Sequence, residues 1–371
     1  MHVHNVNLQN IVGGGEMYTR SLTRALLEAG AQVTLYVHPE NRFWDDLPVQ
    51  RVTVEDESEL PARLPARGAC VLVHTKLSEK TAKDLSKNHF LAGFAHLPMH
   101  QREPGWLSHC ALVLTVSNYC IDLLRRAGVE RLYPEPMYGM ADVARGDPAA
   151  PVLAKSPYMW DRRKARDRLL GSLQPLFGLS KEPQYAKRPG LTLGIVSLIV
   201  PIKQFPLLFS SLAPILARHA VNVEIFGAGG FAQVRDLKKE LVPLADRVRF
   251  WGYQENVAAV FPRIDYLLTG LPEKEALGLN VLEAQMCGTP VLAPRAPPFT
   301  ETVLDGQTGY LYRDPREDGG AAFELLIKTI LEKNSRPDPR LAGDHLARFS
   351  YPALLERTRR LLDDLRTRMP A

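Results

Sequence analysis

The chain has 371 residues, 45% of them hydrophobic and 23% charged, with a net charge of +5. That length exceeds one ordinary core and suits two globular domains of comparable size, and no apolar run approaches the ~18–20 residues of a membrane span. The mild positive charge permits attraction to nucleotide phosphates or to an anionic membrane surface, and by itself decides neither.

Residues 2–12 read as a short strand running into a loop, followed by Gly13, Gly14, Gly15 and Glu16. The segment MYTRSLTRALLEAG then carries Met17, Leu22, Leu26 and Leu27 at helical spacing and stops at Gly30, and AQVTLYV at 31–37 is the next strand. Strand, glycine loop, helix and strand make a Rossmann-like βαβ unit. The loop lacks the G-x-G-x-x-G spacing, so a nicotinamide cofactor is disfavoured, and its plain role is a tight turn with close helix–strand approach.

CVLVH at 70–74 and FLAGFAH at 90–96 read as buried parallel strands, each ending in a histidine. Ligands of open α/β sheets collect beyond the carboxyl ends of strands, which makes His74 and His96 site candidates, with His100 following in LPMHQ. A histidine at a strand end is also an ordinary structural residue. ALVLTVSNYCIDLLRRAG at 111–128 is a strand and a helix capped by Ser117 or Asn118. From Arg145 to Arg188 prolines interrupt the pattern, and WDRRKARDRLLGSLQPLF at 160–177 reads as one basic helix, solvated or turned toward an anionic partner.

The second half restarts with strand patterns at 191–199, 221–227, 248–252, 266–270 and 290–294, mostly separated by helices, as in a second parallel sheet covered on both faces. Within it, EALGLNVLEAQMCG at 275–288 holds Glu275 and Glu283 with Gly278 between them. A loop entering a helix near Gly278 leaves backbone N–H groups unpaired beside the positive end of the helix dipole, a fit for a diphosphate. Glu283, about one turn in, can accept from sugar hydroxyls; the plain alternative is a surface helix with acidic residues near its start.

With Gly288, Thr289, Pro290, Glu301 and DGQTGYLY at 305–312, this stretch resembles the donor-binding region of the retaining glycosyltransferases of family 4. The resemblance implies an α/β GT-B fold, two Rossmann-like domains facing an interdomain cleft. It divides the chain into an acceptor-binding domain at 1–187 with the basic linker helix, a nucleotide-sugar domain at 188–350, and a terminal helix at 351–371 crossing back to the first domain. It implies sugar transfer from a nucleotide diphosphate with retention, catalysed by His96, Lys203 and Glu275. Donor binding falls to Gly14, Gly15, Glu16, Lys203, Phe250, Trp251, Glu275, Gly278, Leu279 and Glu283. Lys203 matches the donor-phosphate lysine, Glu275 the sugar-binding glutamate and Glu283 the ribose-binding one, while Phe250 and Trp251 line the base pocket.

The chain departs from that pattern at Leu198, where the family usually has an arginine; Arg295 or a linker arginine is the expected substitute. No D-x-D triplet occurs, so no metal and no cofactor beyond the donor substrate is expected. Cys70, Cys110, Cys120 and Cys287 form no C-x-x-C pair and read as reduced core thiols. No basic region precedes an apolar stretch near Met1, so a cytoplasmic protein without a signal peptide is expected, with room for peripheral attachment to the inner membrane face. The implied partners are a nucleotide sugar and a glycan, lipid-linked glycan or small-molecule acceptor, not nucleic acid. Two other readings fit the same residues: a nucleotide-sugar epimerase, and a catalytically silent homologue acting as a nucleotide- or partner-binding subunit.

Overall fold

The structure, a computed structural model, describes residues 1–10, 12–99, 104–141, 146–159, 183–333 and 336–369. His100 and the basic linker helix expected at 160–177 lie outside them. The chain forms two compact units, Met1–Met140 with Ala347–Ala371, and Ala141–Leu346.

The first unit is built on six parallel strands: β1 (His2–Asn7), β2 (Gln32–Val37), β3 (Gln50–Thr53), β4 (Cys70–Val73), β5 (Phe90–Ala95) and β6 (Leu112–Thr115). Their order across the sheet is β3-β2-β1-β4-β5-β6. Helix α1 (Gly14–Glu28) follows β1, α2 (Glu79–Asn88) follows β4 and α3 (Asn118–Arg126) follows β6. β4 inside the sheet and β6 at its edge are both buried along their whole length, as strands covered on both faces must be. Ser117 is the cap of α3, its hydroxyl accepting from the Cys120 N–H at 3.1 Å.

The second unit repeats the plan with β7 (Thr192–Val196), β8 (Asn222–Phe226), β9 (Val248–Phe250), β10 (Tyr266–Leu268), β11 (Val291–Pro294) and β12 (Gly309–Tyr312), in the order β12-β11-β10-β7-β8-β9. Its main helices are α4 (Phe205–Arg218), α5 (Phe231–Glu240), α6 (Leu279–Met286) and α7 (Ala321–Lys333). Alternation along the strands feeds two cores. Leu193, Ile195, Val223 and Leu292 pack with Leu208, Phe209 and Phe323, whereas Val196, Phe226, Val291 and Ala293 pack with Val281, Phe299 and Trp251.

Both sheets therefore have the doubly wound order in which the first and fourth strands are neighbours and their connections leave in opposite directions. Ligands of open α/β sheets bind at such a switch point, which here lies beyond the carboxyl ends of β1 and β4 in one unit and of β7 and β10 in the other.

The unit boundary falls at 140/141 and not at 187/188. Val152 and Tyr185 are buried in the second core beside Phe226 and Trp251, and the Lys155 N–H donates to the Trp251 carbonyl at 2.9 Å. The terminal helix, α8 (Tyr351–Arg368), lies in the first unit, with Leu354 and Leu355 against Ala25 of α1 and Arg360 paired with Glu135 at 2.8 Å. No helix among the described residues is long and apolar enough to cross a membrane.

Candidate functional site

Around the switch point of the second sheet lie Lys203, Glu275, Gly278, Leu279 and Glu283, five of the ten donor-site residues expected from the sequence. After β7 the chain runs to Lys203; after β10 it reaches Gly270, where any Cβ would collide with the Lys203 carbonyl oxygen. The glycine thus permits the close backbone approach that places Lys203 beside the loop leading to α6, and the Leu271 N–H donates to the same carbonyl at 3.3 Å.

The Lys203 ammonium contacts one carboxylate oxygen of Glu275, and the other oxygen accepts the Gly278 N–H at 3.2 Å. Gly278 has φ +84°, a left-handed turn that suits glycine, and stands at the N-terminus of α6. Asn280 ties the first turn of α6 to β7, donating to the Val196 carbonyl at 3.1 Å. A cation, an amide donor and a helix N-terminus therefore converge on one anionic group. The Lys203 and Glu275 side chains are 20% and 15% exposed, which leaves the pair only partly screened by water.

A second set of contacts holds this loop. Gln204 adopts a left-handed backbone at φ +53°, uncommon without a glycine, and its side-chain amide donates to Glu273 at 3.1 Å. Glu273 is in turn paired with Arg316 at 2.6 Å, and Arg316 with Asp314. The Gln204 anchor next to Lys203 gives a separable prediction. Gln204→Gly relieves the backbone strain but removes the anchor, so donor affinity should fall several-fold even though thermal stability is kept or raised. If Gln204→Gly binds donor as wild type does, the Glu273 contact is irrelevant to the site.

Glu283 is half-buried, one turn into α6. Its charge, after burial and Glu255, helps raise the Tyr253 phenol pKa, and after burial it helps push the Cys287 thiol up to about 11. Tyr253 is thus within electrostatic reach of Glu283. Trp251 is a core residue instead: 5% exposed, it packs against Phe226 and Tyr185, and its indole N–H donates to the buried Glu224 at 2.7 Å. Phe250 is half-buried beneath the Lys238 ammonium. Arg295, the expected substitute for the missing cation at Leu198, is held by Asp305 and by the Leu311 carbonyl.

In the first unit the glycine loop and His96 meet. Glu16 caps α1, its carboxylate accepting the Gly13 N–H at 2.8 Å, and Gly14 and Gly15 form the first turn of the helix. A Cβ on Gly15 would stand 3.7 Å from the His96 ring, an ordinary contact distance. The β4–β5 register brings Val73 opposite Gly93, so the two histidines beyond these strand ends meet as well. His96 Nε2 and His74 Nδ1 are 2.8 Å apart, with the rings stacked on each other and on Phe94 and with Tyr18 edge-on to His96. Burial holds the His96 pKa down at about 3, and burial followed by His96 holds His74 well below its ordinary value. Both rings are neutral at physiological pH. The pairing of His74 with His96 was not expected from the sequence, which offered them as separate candidates.

Among the described residues no group of three or more His, Cys, Asp or Glu side chains has a metal-holding arrangement. Residues 190–331 match the family model of the group 1 glycosyl transferases. A stretch of 106 residues is 39% identical to N-acetyl-alpha-D-glucosaminyl L-malate synthase of Bacillus anthracis, covering 28% of this chain and 27% of that protein. Another of 178 residues is 34% identical to D-inositol 3-phosphate glycosyltransferase of Stackebrandtia nassauensis, covering 43% and 39%. The aligned regions thus span well under half of these two relatives. Over nearly its whole length the chain superposes on a crystal structure of Anabaena HepE in complex with UDP and glucose, with a TM-score of 0.66 at 18% identity, covering 98% of this chain and 100% of that one. The chain has the GT-B fold.

Proposed function

We propose that this protein is a retaining glycosyltransferase that moves a sugar from a nucleoside diphosphate to an acceptor hydroxyl. The observation that carries this reading is the convergence of Lys203 and the Gly278 N–H on one carboxylate at the switch point of the second sheet. The same two donors suit a diphosphate, and the match of residues 190–331 to group 1 glycosyl transferases supports that use. The UDP in the HepE complex makes a uridine diphosphate sugar the first donor to test.

In this reading the bond between the sugar anomeric carbon and the β-phosphate oxygen breaks with its electron pair going to phosphate. The acceptor oxygen bonds to that carbon on the same face, and its proton passes to the departing diphosphate. Lys203 and the amides of Gly278 and Leu279 stabilise the growing negative charge without a metal. Glu275 accepts from hydroxyls of the donor sugar and Glu283 from those of the ribose. His96, a neutral imidazole with Nε2 engaged by His74, offers Nδ1 to a substrate hydroxyl.

The test is incubation of the purified protein with uridine, guanosine and adenosine diphosphate sugars and a panel of sugar, polyol and lipid-linked acceptors. NMR of the anomeric proton reads the product. A product of inverted configuration, or none with any pair, rejects the proposal. Glu283→Gln should weaken donor binding by about 1.5–3 kcal/mol, the worth of a hydrogen bond to a charged group, with the fold intact. Unchanged affinity in a calorimetric titration removes Glu283 from the site.

A further inference from the structure

We infer that Glu275 is a built-in competitor for the diphosphate site, so that donor binding and presentation of the sugar-binding carboxylate are one exchange. The inference rests on the functional reading above and concerns the regulation of that same site. Both oxygens of Glu275 are engaged: one by the Lys203 ammonium, the other by the Gly278 N–H. These are two of the three donors assigned to the donor diphosphate, the third being the Leu279 amide. The single N–H of Gly278 holds one anionic oxygen at a time, and a phosphate sharing the three-donor ammonium with the carboxylate is opposed by like-charge repulsion in a partly buried site. An arriving diphosphate therefore displaces Glu275.

The displaced side chain needs new hydrogen-bond donors, since a partly buried carboxylate left unpaired is costly. A nucleotide sugar brings its hydroxyls to that place; a nucleoside diphosphate alone brings none. The exchange thus favours the intact donor over the spent nucleotide, a device against product inhibition built from one side chain. Glu275 stands on a short turn, its N–H donating to the Pro272 carbonyl at 2.9 Å, so its rotation need not disturb α6.

Glutamine at position 275 keeps the size of the side chain and removes the competing charge. Calorimetric titrations with UDP, GDP and ADP, and with UDP-glucose, measure the exchange in wild type, Glu275→Gln and Glu275→Ala. Whichever diphosphate binds wild type should bind both variants about tenfold more tightly, the order expected when one competing ion pair is removed. Transfer activity should fall in the same variants, and the preference for nucleotide sugar over nucleotide should shrink. In a Lys203→Met background the gain should shrink without vanishing, since the contested cation is gone while the Gly278 N–H is still contested. Equal or weaker diphosphate binding by both variants, with wild type binding normally, overturns the exchange and leaves the functional reading standing. Failure of wild type to bind any of the three diphosphates overturns both.

Discussion

Lys203→Ala is expected to lower turnover by on the order of 10²-fold or more, the scale seen when one electrostatic stabiliser of a developing charge is removed. Two features of this chain push the effect toward the upper end. Leu198 provides no second cation, and Arg295 is held by Asp305, so neither shares the load. Removing Lys203 also leaves the Glu275 carboxylate, still held by the Gly278 N–H, facing the place where a diphosphate arrives. The variant therefore loses an attraction and gains a repulsion. Lys203→Ala combined with Glu275→Gln should recover part of the diphosphate affinity but not the turnover, and that split separates the two contributions. Lys203→Arg is not a conservative replacement, because a planar guanidinium presents its donors in a fixed fork whereas the ammonium is a compact point charge. Leu198→Arg should strengthen diphosphate binding where space allows. Full activity of Lys203→Ala places the phosphate site elsewhere in the chain.

Lys203, Glu275 and Gly278 were each singled out in the sequence, yet the contact between Lys203 and Glu275 was not legible there. The two lie 72 residues apart and meet because β7 and β10 are neighbours, and no local periodicity says which strands pair. The same holds for His74 and His96, brought together by the β4–β5 register. Strands buried on both faces, such as CVLV and TLGIV, announced themselves as unbroken apolar runs. The edge strand QRVT did not, since three of its four residues are exposed, and GYLY at 309–312 was read as part of a motif and not as a strand. Trp251 is a different case. The resemblance set it in a base pocket, and the sequence did not show that its indole partners Glu224, a carboxylate with no exposed surface that also binds Arg188 and Arg249. A buried glutamate inside the strand NVEIF was the signal available in the sequence: such a charge requires partners, and arginines at 188 and 249 were there to supply them.

His96→Ala should lower turnover by about 10²-fold, within the range for a lost acid–base or charge-stabilising group, while diphosphate affinity changes less than about twofold. The separation follows from placement: His96 belongs to the first unit, whereas Lys203, Glu275 and Glu283 belong to the second. Titration supplies a second readout. With the folded His96 pKa near 3 and an unfolded value near 6.5, the unfolded chain binds a proton in that window that the folded chain does not. The histidine's contribution to stability is complete above about pH 6.5 and declines as pH falls toward 3; His74, shifted the same way, adds to the slope. Removing the His96 ring should therefore flatten the acid side of the stability profile as well as slow transfer. It should not remove a step in turnover near pH 6.5, because His96 carries no charge on either side of that pH. His96→Gln, which keeps a hydrogen-bonding side chain, should retain more turnover than His96→Ala. Equal loss in both variants, accompanied by a lower melting temperature at neutral pH, makes His96 a packing residue beneath Tyr18 and Phe94. Loss in the alanine variant alone, at unchanged melting temperature, identifies its Nδ1 as the group that meets the substrate.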